Sequence, residues 1–151
     1  MYKAQDPHFA ERIRASFAQQ QAMTLIGASM AVVEPGYTEI HLPHKPEITQ
    51  QHGYIHGGVV GMIADSAAGY AASTLTAAEA GVLTVEYKLN LLAPAEGRFL
   101  IAEGSVVRYG RTLIVTRAEV FAVSHGRKTQ CALMQQTIIT AHGKKEHVAK
   151  P

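Results

Sequence analysis

The chain has one cysteine, Cys131, and no tryptophan in 151 residues. A lone cysteine excludes an intrachain disulfide and fits a reducing, cytoplasmic compartment. Cys131 lies in an alternating stretch, so it reads as a buried structural thiol. Strong charge of either sign is also missing: the net charge is +2. The basic residues are scattered, apart from Lys144, Lys145 and Lys150 near the end. No nucleic-acid partner is expected from that pattern. The first residues, Met1 to His8, lack the apolar segment of a secretory leader. One apolar run, residues 57–78, is a candidate membrane span. Asp65 near its middle and the strand-like sequence after it argue against spanning, so no membrane partner is expected. What is there is ordinary for a globular chain, 47% apolar and 17% charged residues. The length implies one domain, 1–151, able to bury a core without staples.

The apolar run organises the rest. It begins at His56-Gly57-Gly58 and continues through Val59, Val60 and Gly61 to Ala72. Between His56 and Glu79 its one charge is Asp65. The pattern predicts a long helix over 57–78, ended by Gly81 and buried on most sides. A carboxylate there is costly unless it is paired, hydrogen-bonded or protonated. The many glycines and alanines leave the helix without bulk, so something must pack closely around it. A curved sheet is the obvious wrapper.

Before the helix, Asp6-Pro7 reads as a helix start. Phe9, Ile13 and Phe17 recur at four-residue spacing, which predicts an amphipathic helix over 7–20. Residues 22–33 are apolar and uncharged. Pro35-Gly36 is a turn and 37–42 alternates, so 22–42 reads as a first hairpin. A polar loop follows, with Gln50, His52 and Tyr54. After the helix come four strands. The first alternates Val85, Tyr87, Leu89 and Leu91 with Thr84, Glu86, Lys88 and Asn90. The others cover 98–108, 112–123 and 128–140, with turns at Gly110-Arg111 and His125-Gly126. A polar tail occupies 141–151. Consecutive strands with short turns imply an antiparallel sheet, and the whole implies an α+β fold.

Strand, strand, long helix and four strands, with His56-Gly57-Gly58 opening the helix and an acid nine residues after the histidine, resemble the hotdog fold. More narrowly, the chain is similar to the phenylacetyl-CoA thioesterase (PaaI-like) branch of acyl-CoA thioesterases, over about residues 20–140. The resemblance implies an antiparallel curved sheet around one central helix. It implies that Asp65 is nucleophile or general base and that Gln50 positions the thioester or the water. It gives the Gly57 N–H the task of polarising the thioester carbonyl, and His56 that of orienting the turn. Thr84 stands where relatives often carry Ser or Thr near the attacked water. Gly110 and Arg111 match a glycine–basic turn that helps hold the nucleotide end of CoA. No cofactor is implied beyond CoA as part of the substrate. Two chains side by side with facing helices, often paired again as a homotetramer, are implied as the assembly.

The residue types suit the chemistry. Thioester hydrolysis needs a base or nucleophile, and donors where the carbonyl oxygen turns negative. A helix N-terminus supplies unused N–H groups and a positive dipole end. Gly57 and Gly58 let a substrate approach the backbone closely. Tyr54, with Met62 and Tyr70, is expected to set the pocket width for an aromatic or medium-chain acyl group. Gly57 and Asp65 are eight residues apart, about 12 Å along one helix. If the family chemistry holds, one chain's glycine must meet another chain's acid, so a homodimer with shared sites is required. A metal site built from His52, His56 and Asp65 has no usual ligand spacing, and none is expected. Two other readings stand: a non-catalytic acyl-CoA-binding sensor, and a dehydratase acting on hydroxyacyl thioesters.

Overall fold

A computed structural model describes residues 2–141. The polar tail expected over 141–151 lies, beyond Ala141, outside the described residues. Helix α1 spans Phe9–Ala18 and α2 Gln21–Ile26. Strands β1 (Ser29–Glu34) and β2 (Tyr37–Pro43) form the first hairpin. Helix α3 spans Gly57–Ser73. Strands β3 (Gly81–Leu91), β4 (Phe99–Tyr109), β5 (Leu113–Ser124) and β6 (Arg127–Ala141) follow. The strand order is β1-β2-β4-β5-β6-β3, antiparallel throughout. This antiparallel sheet, curved around α3, is the hotdog architecture.

Three boundaries differ from the sequence reading, and the first is small: α1 spans Phe9–Ala18 rather than 7–20, because Asp6 accepts the His8 N–H and the helix begins after His8. Residues 21–26 are helical, not the start of the first strand. Met23 and Ile26, three apart, are buried together. Gly27 ends the turn in the left-handed conformation (φ 78°), and the N–H groups of Gly27 and Ala28 both reach the Met23 carbonyl. Helix α3 is also shorter than expected, stopping at Ser73 rather than Ala78. Thr74 Oγ1 donates back to the Ala71 carbonyl (2.6 Å) and Thr76 Oγ1 to the Ser73 carbonyl (2.9 Å). Hydroxyls that occupy these acceptors end the helix well before Gly81.

The helix end is also clamped from outside. Arg12 of α1 donates through Nη2 to the carbonyls of Ser73 (3.1 Å) and Thr76 (3.2 Å), placing a cation at the negative end of α3. Its Nε donates to Asp6 Oδ2 (2.9 Å). The Arg12 guanidinium, together with the His8 N–H on Oδ1, holds the Asp6 carboxyl below the usual carboxylate range. A lowered folded value means stability that is present above about pH 4 and lost as pH falls through it. Asp6→Asn is therefore expected to cost on the order of 1 kcal/mol at pH 7. The gap in Tm between the two proteins should narrow when melting is repeated near pH 3, as the pH falls below the unfolded value toward the lowered folded one. A gap that is equal at both pH values would contradict the ion pair's role.

Small residues let α3 sit directly on the sheet. Ala64, Ala67, Ala68, Ala71 and Ala72 are fully buried. Thr38 of β2 donates through Oγ1 to the Ala67 carbonyl (2.7 Å). On β4, a Cβ at Gly104 would lie 2.3 Å from the Ala67 carbonyl carbon and oxygen. The obstacle is helix backbone, which cannot step aside as a side chain can. Gly104→Ala is expected to destabilise by about 3 kcal/mol, or roughly 10 °C in Tm. A thermal melt of the variant checks this.

Candidate active site

Three regions lie along α3. At its N-terminus, His56 precedes the helix in extended backbone (φ −59°, ψ 136°) and its Nδ1 accepts the Gly58 N–H (2.9 Å). The accepting Nδ1 carries no proton, so the neutral ring holds its proton on Nε2. His56 is thus a helix cap. Its own backbone is tied down by an N–H bond to the Ile48 carbonyl (3.0 Å). The Gly57 N–H has no partner among the described residues. Gly57 and Gln50 line one cavity of about 370 Å³ with Ile55, Val60, Leu91 and Cys131. Burial pushes the Cys131 thiol up to about 11, so it is no thiolate at neutral pH. The Gln50 side chain accepts the His52 N–H, and its backbone N–H donates to the Tyr54 carbonyl (2.8 Å). The Gly53 turn (φ 83°) closes this loop. The Tyr54 side chain is half-buried and is not among those lining the Gly57 cavity.

Two turns further along, Asp65 faces β3 and β6. Thr84 Oγ1 donates to Asp65 Oδ1 (2.8 Å). Gln136 Nε2 donates to the same oxygen and to Thr84 Oγ1 (2.8 Å). Thr116 Oγ1 donates to Gln136 Oε1 (3.1 Å). A smaller cavity of about 140 Å³ opens beside Asp65, lined by Gln20, Ser66, Gly69, Tyr70 and Thr84 among others.

A bulge in β3 makes the Thr84 contact possible. The β3–β6 register shifts between Thr84 and Glu86. Before it, Thr84 points at α3; after it, Leu89 and Leu91 do so, against Gly61 and Gly57. Strict alternation would have put Thr84 on the face opposite Leu89 and Leu91. The extra residue re-aims it.

At the C-terminal end of α3, Gly110 and Arg111 line a third cavity with Gln5, Thr76, Tyr109 and Thr140. Gly110 is needed there because a Cβ would lie 2.5 Å from the Leu113 carbonyl oxygen. The chain therefore joins Gln50, His56, Gly57 and Gly58 at one end, and Asp65 with Thr84 in the middle. Gly110 and Arg111 are placed apart from both. Gln136 and Thr116 were missed from the sequence. Their only signal is polar side chains at buried positions of apolar strands. Among the described residues no three His, Cys, Asp or Glu side chains gather as metal ligands, and no helix is long and apolar enough to cross a membrane.

An acid held on a long helix, beside a strand hydroxyl and beyond an uncapped glycine N–H, is a parts list for thioester hydrolysis. The sequence matches the Thioesterase superfamily over residues 52–128, and the chain belongs to that family. A "putative esterase" of Saccharolobus solfataricus is 33% identical over 115 residues, 76% of this chain and 73% of that protein. The crystal structure of a thioesterase family protein from Silicibacter pomeroyi superposes with a TM-score of 0.88 at 42% identity, over 89% of this chain and 99% of that one. The PaaI protein of the E. coli phenylacetic acid degradation operon shares the fold (TM-score 0.78, 19% identity, 91% and 96% covered).

Proposed function

We propose that the protein is an acyl-CoA thioesterase that releases free acid and CoA from aromatic or medium-chain substrates. The observation that carries this reading is the Asp65 carboxylate held by Thr84 and Gln136 on the same helix whose Gly57 N–H is unused. Asp65 either takes a proton from the water that attacks the thioester carbon, giving the acid directly, or attacks that carbon itself and forms an acyl anhydride that water then hydrolyses to the free acid. The carbonyl oxygen, becoming negative, is met by the Gly57 N–H and the dipole of α3. Collapse of the tetrahedral adduct breaks the carbon–sulfur bond, and CoA leaves as a thiolate that takes up a proton. Gln50 lines the Gly57 cavity and is proposed to position the thioester or the attacking water. The Gly110–Arg111 turn is proposed for the nucleotide end of CoA.

The site is shared between two copies of the chain. Gly57 and Asp65 are about 12 Å apart along α3, too far to act on one carbonyl. Among the described residues strand β3 is an edge strand, bonded only to β6, and Leu83, Val85, Tyr87 and Leu91 are exposed on it. Such an edge invites a second strand. Antiparallel pairing of two β3 strands lays the Leu91 end of one beside the Thr84 end of the other. That brings Gly57, which packs on Leu91, toward the Asp65 that Thr84 holds in the second copy. A further pairing of such dimers would give the tetramer that the resemblance implies.

The test is thiol release, followed with a colorimetric reagent, across aromatic, short, medium and long acyl-CoAs. Release from aromatic or medium-chain members supports the reading. No release from any member, with acyl-CoA still bound, would replace it with the sensor reading.

A further inference from the structure

We infer that Gln136 is a positioning residue for Asp65, and that it selects which carboxylate oxygen meets the substrate. The inference rests on Asp65 being the base or nucleophile. Gln136 is 1% exposed and Thr116 fully buried. They are register partners on β6 and β5. A buried amide is costly unless its donors and acceptor are used. Here all are used, and every direction follows from chemistry. An ionised carboxylate only accepts, so the amide nitrogen must face Asp65. The amide oxygen then faces Thr116, which donates to it. The second amide hydrogen goes to Thr84 Oγ1, whose own proton goes to Asp65.

Both donors land on Oδ1. The carboxylate can neither rotate nor slide without breaking two bonds to a charged acceptor. Oδ2 is left to take a proton from water or to attack the thioester. Three strands thus cooperate, with Thr116 orienting Gln136, and Gln136 and Thr84 orienting Asp65. Preorganisation of this kind acts on the chemical step more than on binding.

Gln136→Met keeps volume but removes every hydrogen bond. With benzoyl-CoA and octanoyl-CoA as probes, kcat is expected to fall roughly 10- to 100-fold with KM little changed. Thr116→Val should fall less, and adding it to Gln136→Met should cost nothing more. A second readout is independent of activity. The chain has two aspartates, Asp6 and Asp65. Protein labelled with 13C at the aspartate carboxyls therefore gives two signals, which Asp65→Asn assigns. Gln136→Met should move the Asp65 signal and leave that of Asp6 in place. If Gln136→Met does not fold, the Thr116→Val protein carries the same comparison. An unmoved Asp65 signal, or unchanged kcat where Asp65→Asn is inactive, overturns the inference. Full activity of Asp65→Asn would instead overturn the assignment of Asp65 to the chemistry, and the labelled signal would still decide the contact.

Discussion

Replacing Asp65 with Asn is expected to lower acyl-CoA turnover by about 10³-fold and to leave the melting temperature nearly unchanged. The reason lies in how the carboxylate is held. An Asn side chain can place its amide oxygen where Oδ1 now accepts from Thr84 and Gln136. The volume is the same, and the buried donors keep their acceptor. What changes is the other terminus. An NH₂ group stands in place of Oδ2, and it can neither take a proton nor attack a carbonyl. Steady-state kinetics with a thermal melt in parallel measure both halves of the expectation. Near-normal turnover would remove Asp65 from the chemistry.

The second large effect concerns sharing. Gly57→Pro removes the N–H proposed to meet the oxyanion. The substitution suits the local backbone, because proline is tolerated at the first helical position and the preceding His56 is already extended. The added atoms press on Leu91 Cδ1, the end of an exposed, movable side chain. Gly57→Pro and Asp65→Asn chains should each be inactive alone. Co-expressed with different tags, half of the dimers contain one of each. One of the two sites in such a dimer combines an intact glycine with an intact acid. Activity should rise to about a quarter of wild type in the mixture, and to about half in the purified mixed dimer. A mixture no better than its parents would break the shared-site arrangement.

Much of the fold was legible in the residues. The long helix is written in an apolar run opened by His56-Gly57-Gly58, and the later strands in alternation and turn residues. His125-Gly126, read as a tight turn, has both residues at positive φ (48° and 76°). What could not be read was set by contacts distant in sequence. The end of α3 depends on Arg12, sixty-one residues before Ser73, and on hydroxyls that reach back to carbonyls. Residues 22–26, helical in the structure, read as strand because they carry no charge and are mostly apolar. Gly27 just beyond them was the usable signal. At the site, Thr84 stood in the polar register of an alternating strand, and a bulge turned it to the helix. Gln136 and Thr116 resemble any strand polar residues until the sheet shows both facing inward beneath Asp65.

The position of β3 has a consequence for the protein in dilute solution. One strand supplies the wall behind Gly57, the hydroxyl on Asp65 and the open edge of the sheet. If pairing along that edge completes the site, assembly and catalysis obey one mass-action equilibrium. Activity per chain would then fall with concentration near the dissociation constant, with the square of concentration setting the rate at the lowest protein levels. A newly made lone chain would carry every residue of the site and yet hydrolyse nothing until it met its twin.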